Sequence, residues 1–323
     1  MAEPALIHPP QEDPEGSAPT QWRQGPDGPA PTQSCQLLEG PAGTPMSYWK
    51  LVWWRLRRDR VTLAAAAIIL CIVLSAVLAP YLAPYNPAQG SIRKRLAPVG
   101  TPSYILGTDE QGRDMLSRLL YGGRLSLRAG VVPVCIALLV GATLGILAGF
   151  MGRGVNMLIM RTMDIFYAFP SVLLAIAISG ALGAGVGNTI IALSIVFTPP
   201  ITRVAESVTT QVRGWEFMEA ARASGAGTCM IIGHHMIANV VAPIFVYAST
   251  LVSVSIILAS GLSFLGLGAS PPNAEWGLML NTLRQSIYVN TWVPILPGVM
   301  IFLTSMAFNL LSDGLRDAMD VRL

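Results

Sequence analysis

The sequence predicts an all-α polytopic membrane protein with six transmembrane helices and a disordered N-terminal tail. Three observations predict it. Hydrophobic residues make up 52% of the 323 and charged residues 12%, half the roughly 25% charged content of an average soluble domain. Mean hydropathy is +0.54. The charges are also segregated, so that long uncharged runs alternate with short polar segments.

Taken in order, the first segment differs from the rest. Residues 1–45 hold ten of the 24 prolines, six acids and one arginine. With no apolar period, such a segment buries too little surface to offset its ordering entropy. It also lacks the basic start and apolar core of a signal peptide. Residues 48–60 are aromatic and basic, a composition that favours the membrane interface on its cytoplasmic side. Residues 61–79 follow without a charge over 19 positions. As a helix they reach about 28 Å, enough for a hydrocarbon core of ~30 Å. This run is too long for the core of a twin-arginine signal at Arg57-Arg58.

Residues 129–150 form a second uncharged run, with Gly141, Gly145 and Gly149 spaced by four. Either they line one helix face for close approach to a neighbour, or they are scattered small residues. Residues 165–202 are uncharged for 38 positions, too long for one crossing, and the glycines around 180–187 divide them in two. Residues 236–274 are uncharged for 39. Their second half reads as a loop, which leaves one crossing near 238–262. The last lies near 291–311. Six crossings with the basic cluster Arg55–Arg60 inside put both termini in the cytoplasm. Segments 80–125, 183–187 and 263–290 then face outward. The 80–125 loop carries six basic residues, and the first helix is taken to dominate the orientation.

Several function classes are excluded. The only lysines are Lys50 and Lys94, and neither follows a glycine, so the Gly-Lys-Ser/Thr phosphate loop does not exist here. Cys35, Cys71, Cys135 and Cys229 show no metal-ligand spacing, and His8, His234 and His235 form no zinc-protease pattern. No metal site is expected. An ion-coupled carrier needs ionisable groups in mid-membrane, and the uncharged runs hold none. A net charge of +3 gives no reason to expect nucleic acid.

One loop between crossings stands out. Residues 215–224 favour helix, and Gly225 and Gly227 stop it, since glycine suits the left-handed turn after a helix. From the residues alone this is either a helix lying on lipid or a short helix whose small residues Ala220, Ala221 and Gly225 fit a tight groove. Glu219-Ala220-Ala221-x-x-x-Gly225 resembles the EAA loop of binding-protein-dependent ABC importer permeases. The run Glu219–Ala226 and the later His235-Met236-Ile237-Ala238-Asn239 resemble its dipeptide/oligopeptide/nickel branch, with Ala238 standing where that branch has proline. Leu106-Gly107-Thr108-Asp109-Glu110-Gln111-Gly112-Arg113-Asp114-Met115-Leu116-Ser117-Arg118 resembles another signature of the branch. So do Ala168–Ser171, Gly261–Gly268, Trp276-Gly277 and Asn309–Asp317. Their order is that of the family's C-type subunit, and the resemblance covers roughly 48–323.

The resemblance implies a type I ABC importer permease fold: a tail over 1–46, a first helix and outward loop over 47–123, a permease core over 124–312, and a cytoplasmic tail over 313–323. It implies a bacterial inner-membrane subunit that is not itself an enzyme and forms half of a pathway for di- or oligopeptides, with nickel or another small solute as the alternative. The implied partners are a second permease, two ATPases that carry the ATP and Mg, an extracytoplasmic solute-binding protein, and membrane lipid. Glu219, Ala220, Ala221 and Gly225 would couple to the ATPase, supported by Trp215, Glu216, Arg222 and His235. Asp109, Arg113 and Asp114 read either as a solvated, self-paired loop or as contacts for the binding protein. Arg161 and Asp164, three apart, are expected to pair on one helix face.

Overall fold

The computed structural model describes residues 48–319, so the tail expected over 1–46 lies outside the described residues. Among these, helices and short helical turns are joined by loops. Five helices are long and apolar enough to cross a membrane, and a bent pair makes up to six.

Helix α1 (Tyr48–Arg58) is amphipathic and ends in Arg55, Arg57 and Arg58. The guanidiniums of Arg57 and Arg58 lie over the rings of Trp53 and Trp54, at 5.2 and 4.7 Å. Asp59 then caps α2 (Arg60–Val77), accepting from the backbone N–H groups of Val61 and Thr62. The Thr62 hydroxyl and these backbone donors hold the Asp59 carboxyl below its ordinary range. A short α3 (Ala79–Leu82) leads into the polar loop.

The second crossing is longer than its uncharged run. Helix α4 (Met115–Met151) has 37 residues, or about 55 Å, well beyond a hydrocarbon core of ~30 Å. Its glycine stripe faces α7 (Val186–Arg213). A Cβ at Gly145 would lie 2.5 Å from both the Ala205 Cβ and the Thr202 carbonyl oxygen, and at Gly141 and Gly149 it would meet α7 at 2.9 and 2.8 Å. The spacing by four is therefore a packing face and not scattered small residues.

The run 165–202 divides as expected near 183–185, but its first part is not a straight crossing. Helices α5 (Arg153–Tyr167) and α6 (Ser171–Leu182) meet at 86°. The break falls at Pro170, which has no N–H to continue the ladder and disfavours helix in the residue before it. Pro199 and Pro200 lie inside the unbroken α7. Asn188 closes the turn between α6 and α7, its Nδ2 donating to the carbonyls of Leu182 and Gly183.

Beyond α7 come α8 (Glu216–Ala223), a single turn α9 (Thr228–Met230), a π-helical turn over Ile231–Met236 and α10 (Ile237–Phe264). The segment 263–290, expected to face outward with a loop in its first part, folds back into the protein beyond that loop. It forms α11 (Trp276–Leu283) and a 3-10 turn, Arg284–Tyr288. Helix α12 (Trp292–Met319) runs through Ser312 without a break. Trp276 is buried, and its Nε1 donates to the Leu119 carbonyl of α4 at 3.0 Å.

Two apolar cores result. The larger joins α4, α6, α7, α8, the π turn and α10 through residues such as Leu193, Phe197, Met218 and Ile244. The smaller joins α2, α4, α11 and α12 around Ile72, Met115, Trp276 and Val293. Outside them, many large apolar side chains on the long helices are exposed, among them Leu70, Leu139 and Phe302. That is the surface expected of helices whose solvent is lipid.

Candidate functional site

Helix α8 has the charge arrangement that favours a short helix. Glu216 and Glu219 lie in its first turn and Arg222 in its last, each sign opposite to the partial charge of the helix end it sits on. Its end is a Schellman turn. Ala226 N–H donates to the Ala221 carbonyl at 3.1 Å and Gly225 N–H to that of Arg222 at 3.0 Å. Gly225 sits at φ +82°, as the glycine signal indicated. Ser224 closes the turn further through its hydroxyl, which reaches the carbonyls of Ala220 and Ala221.

One side chain attaches this helix to the protein. Met218 is fully buried in the larger core, beside Ile231 and Met236 of the π turn. Sequence reasoning missed it, because a single inward position in an eight-residue helix makes no period. The other face is open. Glu216, Glu219, Ala220 and Arg222 are exposed, and Ala221 is half-buried. Trp215 and Phe217, 40% and 39% exposed, stand edge-to-face with ring centroids 5.7 Å apart. Apart from its chain neighbours, no atom of the described residues comes within 4 Å of a Cβ built on Gly225. His235 is half-buried on the π turn, and its carbonyl accepts from Asn239 Nδ2 at 2.7 Å. The structure thus places Glu216, Glu219, Ala220, Ala221 and Arg222 on one helix with an open face, with Trp215 at its start, Gly225 beyond its end and His235 on the π turn.

The 106–118 loop is self-paired but not solvated. Asp109, Arg113, Asp114 and Arg118 are 1–3% exposed. The Asp109 carboxylate accepts from the Arg113 Nε at 2.6 Å and from two backbone N–H groups, and pairs with the Arg118 Nε at 3.2 Å. Arg118 also donates to the carbonyls of Pro87 at 3.1 Å and Asn273 at 3.3 Å. Asp114 caps α4, accepting from the Ser117 N–H and hydroxyl. Asp109, Arg113 and Arg118 are buried as paired, hydrogen-bonded charges, whereas Asp114 has no ion pair among the described residues and is held through Ser117 by one carboxylate oxygen. They shape the loop from within, and its surface is formed by other residues.

A third buried carboxylate escaped the sequence reading. Glu275, fully buried, caps α11 by accepting from the Gly277 and Leu278 N–H groups at 3.0 and 2.8 Å. The Ser126 hydroxyl of α4 donates to it at 3.1 Å. Burial raises its carboxyl above the ordinary range against these hydrogen bonds. The signal available was position: Glu275 is the residue that ends a 39-residue uncharged run.

Arg161 and Asp164 pair only loosely, at 3.7 Å. The closer partner of Asp164 is Arg203 of α7, at 2.5 Å, and the Arg203 guanidinium lies over the Tyr167 ring at 4.5 Å. Asp164 and Arg203 therefore link α5 to α7. Among the described residues no three His, Cys, Asp or Glu side chains converge to hold a metal.

Residues 141–323 match the family described as binding-protein-dependent transport system inner membrane component. Residues 47–98 match the N-terminal TM domain of oligopeptide transport permease C. The chain is similar to a glutathione transport system permease protein of Pectobacterium atrosepticum, 40% identical over 85% of this chain and 91% of the relative. A dipeptide transport system permease protein of Alkalihalophilus pseudofirmus is 41% identical over 87% and 92%. A di/tripeptide transport system permease protein of Pseudomonas aeruginosa is 46% identical over 69% and 74%. Among solved structures, an inward-facing MetNI methionine ABC transporter chain superposes with a TM-score of 0.53 at 17% identity, covering 65% of this chain and 98% of that one. That likeness shows the fold alone, which is that of type I ABC importer permeases. The chain belongs to the family of inner membrane components of binding-protein-dependent transport systems, as a non-catalytic permease subunit of an ABC importer.

Proposed function

We propose that this chain forms half of the pathway through which di- or oligopeptides enter a bacterial cell, and that α8 transmits the work of ATP hydrolysis to it. The observation that supports coupling is the helix itself. It is held by one buried side chain and ended by a left-handed glycine, and it offers Glu219, Ala220 and Arg222 on an open face. A surface built this way suits a cleft in a separate ATPase subunit, with Ala220, Ala221 and Gly225 giving close approach and Glu219 a polar contact. Trp215, Glu216, Arg222 and His235 support the same loop. Two ATPases carry the ATP and Mg, a second permease completes the pathway, and an extracytoplasmic binding protein delivers the substrate. In that arrangement both termini and α8 are cytoplasmic, and the loop shaped by Asp109, Arg113 and Asp114 faces the binding protein. The names of the relatives, for dipeptide, di/tripeptide and glutathione transport, support a peptide substrate.

Uptake of a labelled dipeptide by cells deleted for this gene, with and without the gene restored, tests the reading. Restored uptake that needs the cognate ATPases supports it. Restored uptake of nickel but of no peptide would replace the substrate while leaving the permease assignment in place.

A further inference from the structure

At one end of the uncharged run of α4, a cavity of about 320 Å³ opens beside the Pro87 loop and the segment leading into α11. Its charged lining is two guanidiniums, Arg124 and Arg128, without a carboxylate; Tyr121, Leu125, Pro87 and Asn273 contribute walls. Arg124 is held in place. Its Nε and Nη2 donate to the Ala76 and Val77 carbonyls at the end of α2, both at 2.7 Å, and its guanidinium lies over the Tyr121 ring at 5.5 Å. Arg128 is exposed, and among the described residues it has neither an ion pair nor a hydrogen bond. Like charges four apart on a helix repel each other, so this pair is arranged at a cost that an anion between the two would remove.

The rest of the same helix face says which anion. One turn after Arg128 begins an exposed apolar stripe, Val132, Ile136, Leu139 and Val140. Arg128 is the last charge before the uncharged run 129–150, which places the guanidiniums at the depth of the lipid headgroups. A basic pair above an apolar stripe matches a molecule with a negative head and a hydrocarbon tail. We infer that this face of α4 binds a phospholipid with an anionic headgroup, its phosphate at Arg124 and Arg128 and an acyl chain along Val132, Ile136 and Leu139. A free phosphate would use the guanidiniums but not the stripe.

The test uses the full importer complex in nanodiscs of phosphatidylcholine with graded fractions of phosphatidylglycerol, and native mass spectrometry to count retained phosphatidylglycerol. A basic side chain at an anionic membrane surface contributes about fivefold in affinity. Arg128→Gln is therefore expected to lower retention about fivefold, and Arg128→Lys to restore most of it. Added inorganic phosphate should leave retention unchanged. Equal retention by wild type and Arg128→Gln overturns the inference. So does displacement of the lipid by phosphate at millimolar levels, which would make the site one for a free anion. Loss of the second permease from Arg128→Gln complexes with unchanged lipid would overturn it as well, by giving the face to that subunit.

Discussion

Replacing Gly225 with leucine tests the coupling helix through its backbone. Gly225 sits at φ +82° in the turn that ends α8, a conformation that costs a side-chain-bearing residue about 1–2 kcal/mol. Apart from its chain neighbours, no atom of the described residues lies within 4 Å of the new Cβ, so the Cβ meets open space and membrane insertion should be normal. The helix has only eight residues, too few to persist on its own propensity, so strain at its end is felt along its whole length. If the open face enters an ATPase cleft, the leucine adds overpacking of about 1–3 kcal/mol. The sum, about 2–5 kcal/mol, weakens the association by about thirtyfold or more. Gly225→Asn, which tolerates the left-handed region, should lose far less. The assay is co-purification of the ATPase subunits and dipeptide uptake in membranes matched for abundance of this chain. Full ATPase retention and full uptake by Gly225→Leu would refute the reasoning and leave α8 as a helix that rests on lipid.

Other predictions address different parts of the structure. Met218→Ala empties the one buried anchor of α8 at an expected cost of about 2–5 kcal/mol; protease sensitivity of the 213–228 segment should rise sharply while the chain remains inserted. Arg118→Ala leaves Asp109 buried with one partner fewer, a loss of about 3–5 kcal/mol, read as a lowered thermal midpoint and reduced abundance. Glu275 carries a raised carboxyl pKa, so the folded state binds its proton more tightly than the unfolded one. That stability is full below the ordinary carboxylate pKa and is lost as pH rises through the folded value. Thermal midpoints compared between pH 5 and pH 8 should therefore differ less in Glu275→Gln than in wild type, and an unchanged pH difference would contradict the assignment.

The parts of the fold legible in the sequence were those with a local period or a single decisive residue. The uncharged run 61–79 became α2, the glycines spaced by four became the contact of α4 with α7, and Gly225 ended α8 with the turn expected of it. What escaped depends on contacts distant in sequence. Asp109, Arg113 and Asp114 look like a solvated acidic and basic loop until Arg118 is seen reaching Asn273, 155 residues away. Glu275 reads as a loop residue until Ser126, 149 residues away, donates to it. Helix α11 is eight residues long and follows a Gly- and Pro-rich stretch, so no periodicity of useful length announces it. Proline alone did not single out the break, since Pro170 marks the 86° bend while Pro199 and Pro200 lie inside a continuous helix. At the candidate site the open residues Glu219, Ala220 and Arg222 were legible, and the anchor Met218 was not, because one buried position in eight leaves no pattern.

Docking of α8 into an ATPase is read most directly by proximity. A photo-crosslinking amino acid placed at Ala220, on the open face of the helix, tests it in the assembled complex under illumination. Docking gives a crosslinked product containing the ATPase subunit, with a yield that changes on ATP addition, and none from the same label at Leu139 on the membrane face. Crosslinks from Ala220 to lipid alone would contradict it.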